Sequence, residues 1–382
     1  MTSPSAYRDE FPIVAERTYL ISASLGPLSR RARRAAEEHL DLWSRLGPEE
    51  LWFDHGMDRL QACREHIAAL IGAHPHEIAI VPSVSAGLSS IATCLSWDDR
   101  SEVVLTDMDF PTNHYVWRAQ ERVGAALKVV ASPDGITVAT EAVVDAIGES
   151  TRIVNVNRVL FESSYIQDVA AITRSAHEAE ALVVVDDFHG TGIVPIDVHE
   201  LGIDFLLTGA LKWLCGGQGI AFLYCREDLI ERMNPLVVGW FGTKEPFDFR
   251  RDQLVLRDDA RRFEAGTYTL PQAWTASAAL ELILEVGVET IRAHNQKLTA
   301  EIIGAAEGLG LELLSPKDPS DRGGLVRVRV PGGRAAAEDI LHKLFEADVV
   351  LDQRGDALRI SPHFFNTESD IDRAFEELAR LL

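Results

Sequence analysis

From residue 78 to residue 224 the chain repeats one pattern: a short apolar run rich in β-branched residues, a polar turn, then a stretch with helical spacing. Apolar runs at 78–81, 102–105, 126–130, 152–156, 181–185, 204–208 and 219–224 predict strands. Val183, Val184 and Val185 do not alternate with polar residues, which marks a strand buried on both faces. Seven strands in this rhythm predict an α/β fold with a large, mostly parallel seven-stranded sheet. Ahead of it, Ala36, Leu40, Trp43 and Leu46 recur at helical intervals, as do Leu60, Cys63, Ile67 and Leu70.

The texture changes after Phe263. Residues 270–286 and 291–309 read as helices, 325–330 alternates as a half-buried strand, and Pro331-Gly332-Gly333 marks a turn. Thr367 followed by Asp370 predicts a capping box opening a last amphipathic helix. The pattern predicts two packed domains, a large one over residues 1–262 and a smaller α+β one over 263–382, with a site near their boundary.

Two strand ends carry chemistry. The run 181–185 ends in Asp186, and the run 204–208 is followed by Lys212 and then by Gly216, Gly217 and Gly219. Open α/β sheets bind ligands past the carboxyl ends of their strands. A carboxylate and an amine there suit pyridoxal 5′-phosphate (PLP): the amine condenses with the aldehyde, and the acid keeps the ring nitrogen protonated so that the ring withdraws electrons. Strand 78–81 runs into Pro82-Ser83-Val84-Ser85-Ala86-Gly87 at a helix start, where hydroxyls and free N–H groups form a phosphate cradle. Arg359, in the run 357–361, has the planar fork that pairs with a substrate carboxylate.

The stretches SASLGPLS (22–29), FPTNHYV (110–116), DVAAITRSAH (168–177) with DDFH (186–189), VVGWFG (237–242) and LRISPHFFN (358–366) resemble kynureninases. The chain is similar over nearly its whole length to the class V aminotransferase superfamily of fold-type I PLP enzymes, which also contains cysteine desulfurases and isopenicillin N epimerase. The resemblance implies that Val84, Ser85 and Ala86 bind the phosphate, Phe110 stacks on the cofactor ring and Asn113 lies beside it. It implies that His189, in a D-x-x-H arrangement with Asp186, touches the ring oxygen or the substrate, and that Arg359 binds the substrate carboxylate. Trp240 and the Gly266-Thr267 pair resemble elements that reach the phosphate of a neighbouring subunit, which implies a homodimer. Asp187 is expected to face away as a solvated or capping acid.

Where kynureninases carry a tyrosine before the lysine, this chain has Leu211, and Thr267 aligns with the asparagine that recognises the aromatic amine. The stretch 349–359 lacks the mobile-loop cysteine of desulfurases, and Phe161 replaces an asparagine near their cofactor. The frame without these specific parts predicts β-elimination or β-cleavage of an amino acid such as an S-substituted cysteine. Transamination, epimerisation and a non-catalytic PLP-binding role are the alternatives.

The bulk numbers narrow the partners. A net charge of -22 argues against nucleic acid or an anionic membrane as partner, while a small amino-acid substrate is what the resemblance implies. Cys63, Cys94, Cys215 and Cys225 have no metal-ligand or disulfide spacing, so no metal is expected. The first residues carry acids and no apolar signal-peptide core, and no window reaches membrane-span length, which predicts a cytoplasmic protein.

Overall fold

The computed structural model, which describes residues 4–382, begins with helix α1 (Ile13–Glu16), strand β1 (Thr18–Tyr19) and helices α2 (Arg30–Trp43) and α3 (Met57–Ile71). All seven apolar runs then form strands, within one or two residues of the expected ends. They are β2 (Ile78–Val81), β3 (Glu102–Thr106), β4 (Ala126–Val130), β5 (Thr151–Asn157), β6 (Leu182–Asp186), β7 (Phe205–Gly209) and β8 (Ala221–Cys225). Helices α4 (Val84–Ala92), α5 (Pro111–Gln120), α6 (Thr140–Ala146) and α7 (Val169–Glu178) connect them, and α8 (Glu227–Ile230) follows the last. The strand order is β2-β8-β7-β6-β5-β3-β4, and β8 alone runs antiparallel to its neighbours. Both faces of this sheet are covered: Val183 and Val185 of β6 join one core while Val184 joins the other.

Helices α9 (Leu270–Val286) and α10 (Val288–Gly308) lead to strands β9 (Glu312–Leu313) and β10 (Val326–Arg329). After helix α11 (Gly333–Glu346) come β11 (Val349–Val350), β12 (Asp352–Arg354), β13 (Ala357–Ile360) and helix α12 (Glu368–Leu381). Strands β12-β13-β10-β9 form an antiparallel sheet whose Val326, Val328 and Leu358 pack against Leu298, Ile302 and Phe375. The capping box at Thr367 and Asp370 opens α12 as its spacing predicts. Although α9 follows residue 263, its Trp274, Leu280 and Ile283 share the large core with Leu60 and Ile67 of α3. The two cores meet along α10 instead, where Val288 and Ile291 belong to the first and Leu298 and Ile302 to the second. Strand β1 also crosses between them, pairing in parallel with β11. Among the described residues no helix is long and apolar enough to cross a membrane.

Helix α2 forms where its spacing predicts but turns a different face inward. Ala32, Ala35 and His39 are buried, with the His39 ring 4.7 Å from that of Trp274, while Leu40 and Trp43 are 56% and 62% exposed. Small residues let α2 approach α9 closely, so the bulkier stripe is left on the surface.

One buried ion pair ties the large sheet to the segment before α9. Arg64 of α3 donates to both Glu264 oxygens at 2.8 and 3.0 Å; the Ile80 N–H donates to Oε1 at 2.8 Å, and the Tyr268 hydroxyl donates to Oε2. Removing one partner of such a pair leaves an uncompensated charge in the interior. Arg64→Ala is therefore expected to lower unfolding stability by about 3–5 kcal/mol, read as a fall in the denaturant midpoint; a change below about 1 kcal/mol would show that the pair is not an anchor.

Candidate active site

The carboxyl ends of β2, β3, β5, β6 and β7 converge at one edge of the sheet. Parallel pairing sets Asp186, the last residue of β6, opposite Leu207 of β7, five residues before Lys212. The chain beyond β7 makes a tight turn: Gly216 N–H donates to the Ala210 carbonyl at 2.8 Å, and Cys215 N–H to that of Lys212 at 3.1 Å. Cys215 takes φ 52°, a left-handed conformation unfavourable for a side chain with a Cβ. Two contacts hold the turn from outside. The His363 Nδ1 accepts from the Phe364 N–H, so its Nε2–H donates to the Trp213 carbonyl at 2.7 Å. Gly26 lies so close that an added Cβ would stand 2.1 Å from the Lys212 carbonyl oxygen.

Lys212 is buried, with its Nζ 2.5 Å from His189 Nε2, 4.2 Å from the centre of the Phe188 ring and 5.7 Å from that of Phe110. Burial pushes its amine down to about 7; Asp186 pulls it up, and Arg359 and Arg354 push it down. Burial and the Lys212 charge hold His189 well below the usual imidazole range, so the ring is uncharged at neutral pH. Its Nδ1 has no partner.

Asp186 accepts from the Phe188 N–H at 3.0 Å and from Asn113 Nδ2 at 3.3 Å. Burial raises its carboxyl above the ordinary value, opposed by the Phe188 N–H and the Lys212 charge. The Asn113 amide also donates to Asn157 Oδ1 at 2.5 Å, and its own Oδ1 has no partner. Behind it Asp109 accepts from the Thr106 and Asn157 N–H groups at 2.8 and 3.1 Å, with its carboxyl pushed up by burial to about 7.

The expected phosphate turn is the start of α4. Ser83 caps it, its hydroxyl accepting from the Ala86 N–H at 3.1 Å, while the Val84 and Ser85 N–H groups lie in the first turn, where a helix offers no partner. The Val84 side chain is buried, so its backbone alone faces a ligand. Ser85 Oγ lies 3.2 Å from Thr112 Oγ1 at the start of α5, so two helix N-termini and two hydroxyls converge. Phe110, the N-cap residue of α5, sets its ring 5.2 Å from that of Phe161.

Arg359 is 1% exposed, and its guanidinium is engaged within the chain: Nη1 donates to the Phe161 carbonyl at 2.5 Å, and Nη2 to Ser24 Oγ at 2.7 Å and to Asp352. Asp187 corrects the expectation of a solvated or capping acid. It does face away from Lys212, but it is fully buried in a bidentate pair with Arg158 at 2.7 and 2.9 Å and accepts from Thr191 at 2.7 Å. A single chain leaves Trp240 in a cluster with Phe241 and Phe247, at ring distances of 4.1 and 5.5 Å. Thr267 lines a cavity of about 230 Å³ together with Pro82 and Ala86. Asn157 and Asp352 join the site by strand register, while Phe188, Thr112 and Ser24 lie inside the stretches DDFH, FPTNHYV and SASLGPLS, where no spacing rule singles them out.

A buried amine of lowered pKa, a buried acid, an uncharged imidazole and two converging helix N-termini therefore share one sheet edge. The family model described as aminotransferase class-V matches residues 54–373. The chain belongs to the class-V aminotransferase family. Over 376 residues it is 34% identical to a Bacillus subtilis protein named uncharacterized aminotransferase YcbU, covering 98% of this chain and 97% of that one. A kynureninase of Deinococcus radiodurans is 30% identical over 393 residues, covering 98% and 92% of the two chains. The fold matches that of the cystine C-S lyase C-DES with a TM-score of 0.88 at 23% identity, over 97% of this chain and 99% of that one. As a family member, the chain is a PLP-dependent enzyme.

The residues present fit that cofactor. Asp186 is a buried acid without a cation in hydrogen-bond contact, as the proton of a pyridine nitrogen requires, and the unpartnered His189 Nδ1 and Asn113 Oδ1 await polar groups. Capture of PLP needs the neutral amine, so with Lys212 at about 7 the initial rate of uptake by apo-protein should rise from pH 6 to 8 and level off above. A rate still climbing between pH 9 and 10 would show a lysine with an ordinary pKa.

Proposed function

We propose that this enzyme expels a leaving group from Cβ of an α-amino acid, most simply the sulfur of an S-substituted cysteine. With one water the products are a thiol, pyruvate and ammonium. The supporting observation is the Lys212–His189 pair, a base of lowered pKa in contact with an uncharged imidazole.

When bound, PLP supplies an electron sink for the pair left at the substrate Cα. Lys212 would hold the cofactor at rest, and its amine, once free, would take the Cα proton. Asp186, oriented by Asn113, would keep the ring nitrogen protonated. The Val84 and Ser85 N–H groups with the Ser85 and Thr112 hydroxyls would hold the phosphate, and Phe110 would cover a ring face. Arg359 fixes the substrate carboxylate. The proton on Lys212 passes to the departing sulfur, directly or by way of His189, and the released enamine hydrolyses to pyruvate and ammonium. Leu211 offers no proton, which suits a sulfur leaving group, stable as a thiolate until the Lys212 proton reaches it, better than a carbon fragment that must be protonated as it leaves. Burial pushes the thiols of Cys63 and Cys94 up to about 12 and also raises those of Cys215 and Cys225, so none is a thiolate ready to accept sulfur.

We infer a homodimer as the working form. Leu236, Phe249 and Leu254 are 78%, 65% and 58% exposed, and the Phe249 ring lies 6.2 Å from that of Trp240, apolar side chains that a partner subunit would cover. Sedimentation should give twice 42.1 kDa; a monomeric, fully active enzyme would contradict this.

With S-methyl-L-cysteine, pyruvate and methanethiol should appear in equal amounts, and Lys212→Ala should lower the rate by roughly 10²–10⁴-fold or more. Consumption of an amino donor without pyruvate would identify a transaminase, and a racemised substrate an epimerase; either result rejects elimination.

A further inference from the structure

The guanidinium assigned to the substrate carboxylate is already neutralised. Asp352 of β12 stands directly across from Arg359 of β13 in the antiparallel pair, and its Oδ2 accepts from Arg359 Nη2. Nη2 also donates to Ser24 Oγ at 2.7 Å, and the Ser24 hydroxyl in turn donates to Asp352. A planar carboxylate pairs bidentately with an arginine through Nε and Nη2 or through Nη1 and Nη2. Both forks use Nη2, which already faces the Asp352 carboxylate and the Ser24 hydroxyl. A substrate carboxylate therefore cannot take either fork while both contacts stay, and of the two acceptors Asp352 carries the charge that repels it.

Two further observations describe an exchange rather than a permanent block. Arg359 Nε is buried without any partner, a donor free for the second oxygen of an incoming carboxylate. Asp352 also has another cation at hand: Arg354 Nη1 lies 2.7 Å from Asp352 Oδ1 and belongs to the same edge strand, next to the turn at Gly355. Released from Arg359, the acid remains paired.

We propose that Asp352 is a carboxylate latch on Arg359, displaced by the substrate carboxylate, and that it sets how much binding energy the rest of a substrate must bring. This rests on the reading of Arg359 as the carboxylate clamp. A small carboxylate offering only its charge exchanges one anion for another and gains little. An amino acid whose amine and side chain are engaged elsewhere displaces the latch. Asp352 is thus a specificity-determining residue of the same site.

The test compares L-alanine with ethylamine, which lacks the carboxylate, on PLP-loaded enzyme, with dissociation constants read from the cofactor absorbance. Asp352→Asn should bind L-alanine at least about tenfold more tightly, equivalent to about 1.4 kcal/mol, with ethylamine unchanged. Ser24→Ala, which removes one acceptor from Nη2 and one donor from Asp352, should shift L-alanine in the same direction and decides the matter if the first variant loses its cofactor or its melting midpoint. If L-alanine binds no better, or worse, in the folded variants while wild type still prefers it to ethylamine, Asp352 only positions Arg359 and the latch is wrong. If wild type fails to prefer L-alanine and Arg359→Ala alters both ligands equally, the clamp assignment itself fails and the latch with it.

Discussion

The structure depends on keeping an amine and a carboxylate together out of water at the ends of two neighbouring parallel strands. Each charge is disfavoured by burial, which lowers the lysine and raises the acid, and each partly restores the other. That balance leaves Lys212 near neutrality at physiological pH, able to act as nucleophile and base in turn. A solvated lysine would be almost wholly protonated and would do neither. The β6–β7 register, the Ala210–Gly216 turn, the Gly26 contact and the His363 bond to the Trp213 carbonyl all serve to hold this one side chain.

The supports come from remote parts of the chain. Residues 19–26 reach the lysine turn because β1 pairs with β11 and Ile21 bridges to Ser361 just past β13, and Arg359 reaches Phe161 and Ser24 because β13 ends at the same place. The cofactor edge and the small sheet are thereby coupled through polar contacts that a single substitution can disturb. The exchange proposed at Asp352 lies on that coupling, at the edge strand, where a shift disturbs the fewest neighbours.

Much of this was legible in residue order. Six of the seven strands followed from continuous apolar runs, because strands buried on both faces cannot alternate, whereas the edge strand β4 is largely exposed. Asp186 and Lys212 stood out because a strand end followed by a polar residue and glycines leaves a side chain at the ligand edge. Partnerships were not legible. Nothing local shows that Asp187, beside Asp186, turns the other way onto Arg158, or that Arg359 meets Asp352 before it meets a substrate; both depend on strand register and on arginines brought from elsewhere. The inward face of α2 was hidden for a related reason: Ala32 and Ala35 carry little hydrophobic weight, yet close approach to α9 favours them over Leu40 and Trp43.

The most direct measurement is borohydride reduction of the PLP-loaded enzyme followed by peptide mapping. The account predicts one pyridoxyl-phosphate mark, on the peptide containing Lys212 and on no other lysine. A mark elsewhere, or none after reduction of coloured protein, would contradict the claim that this buried amine holds the cofactor.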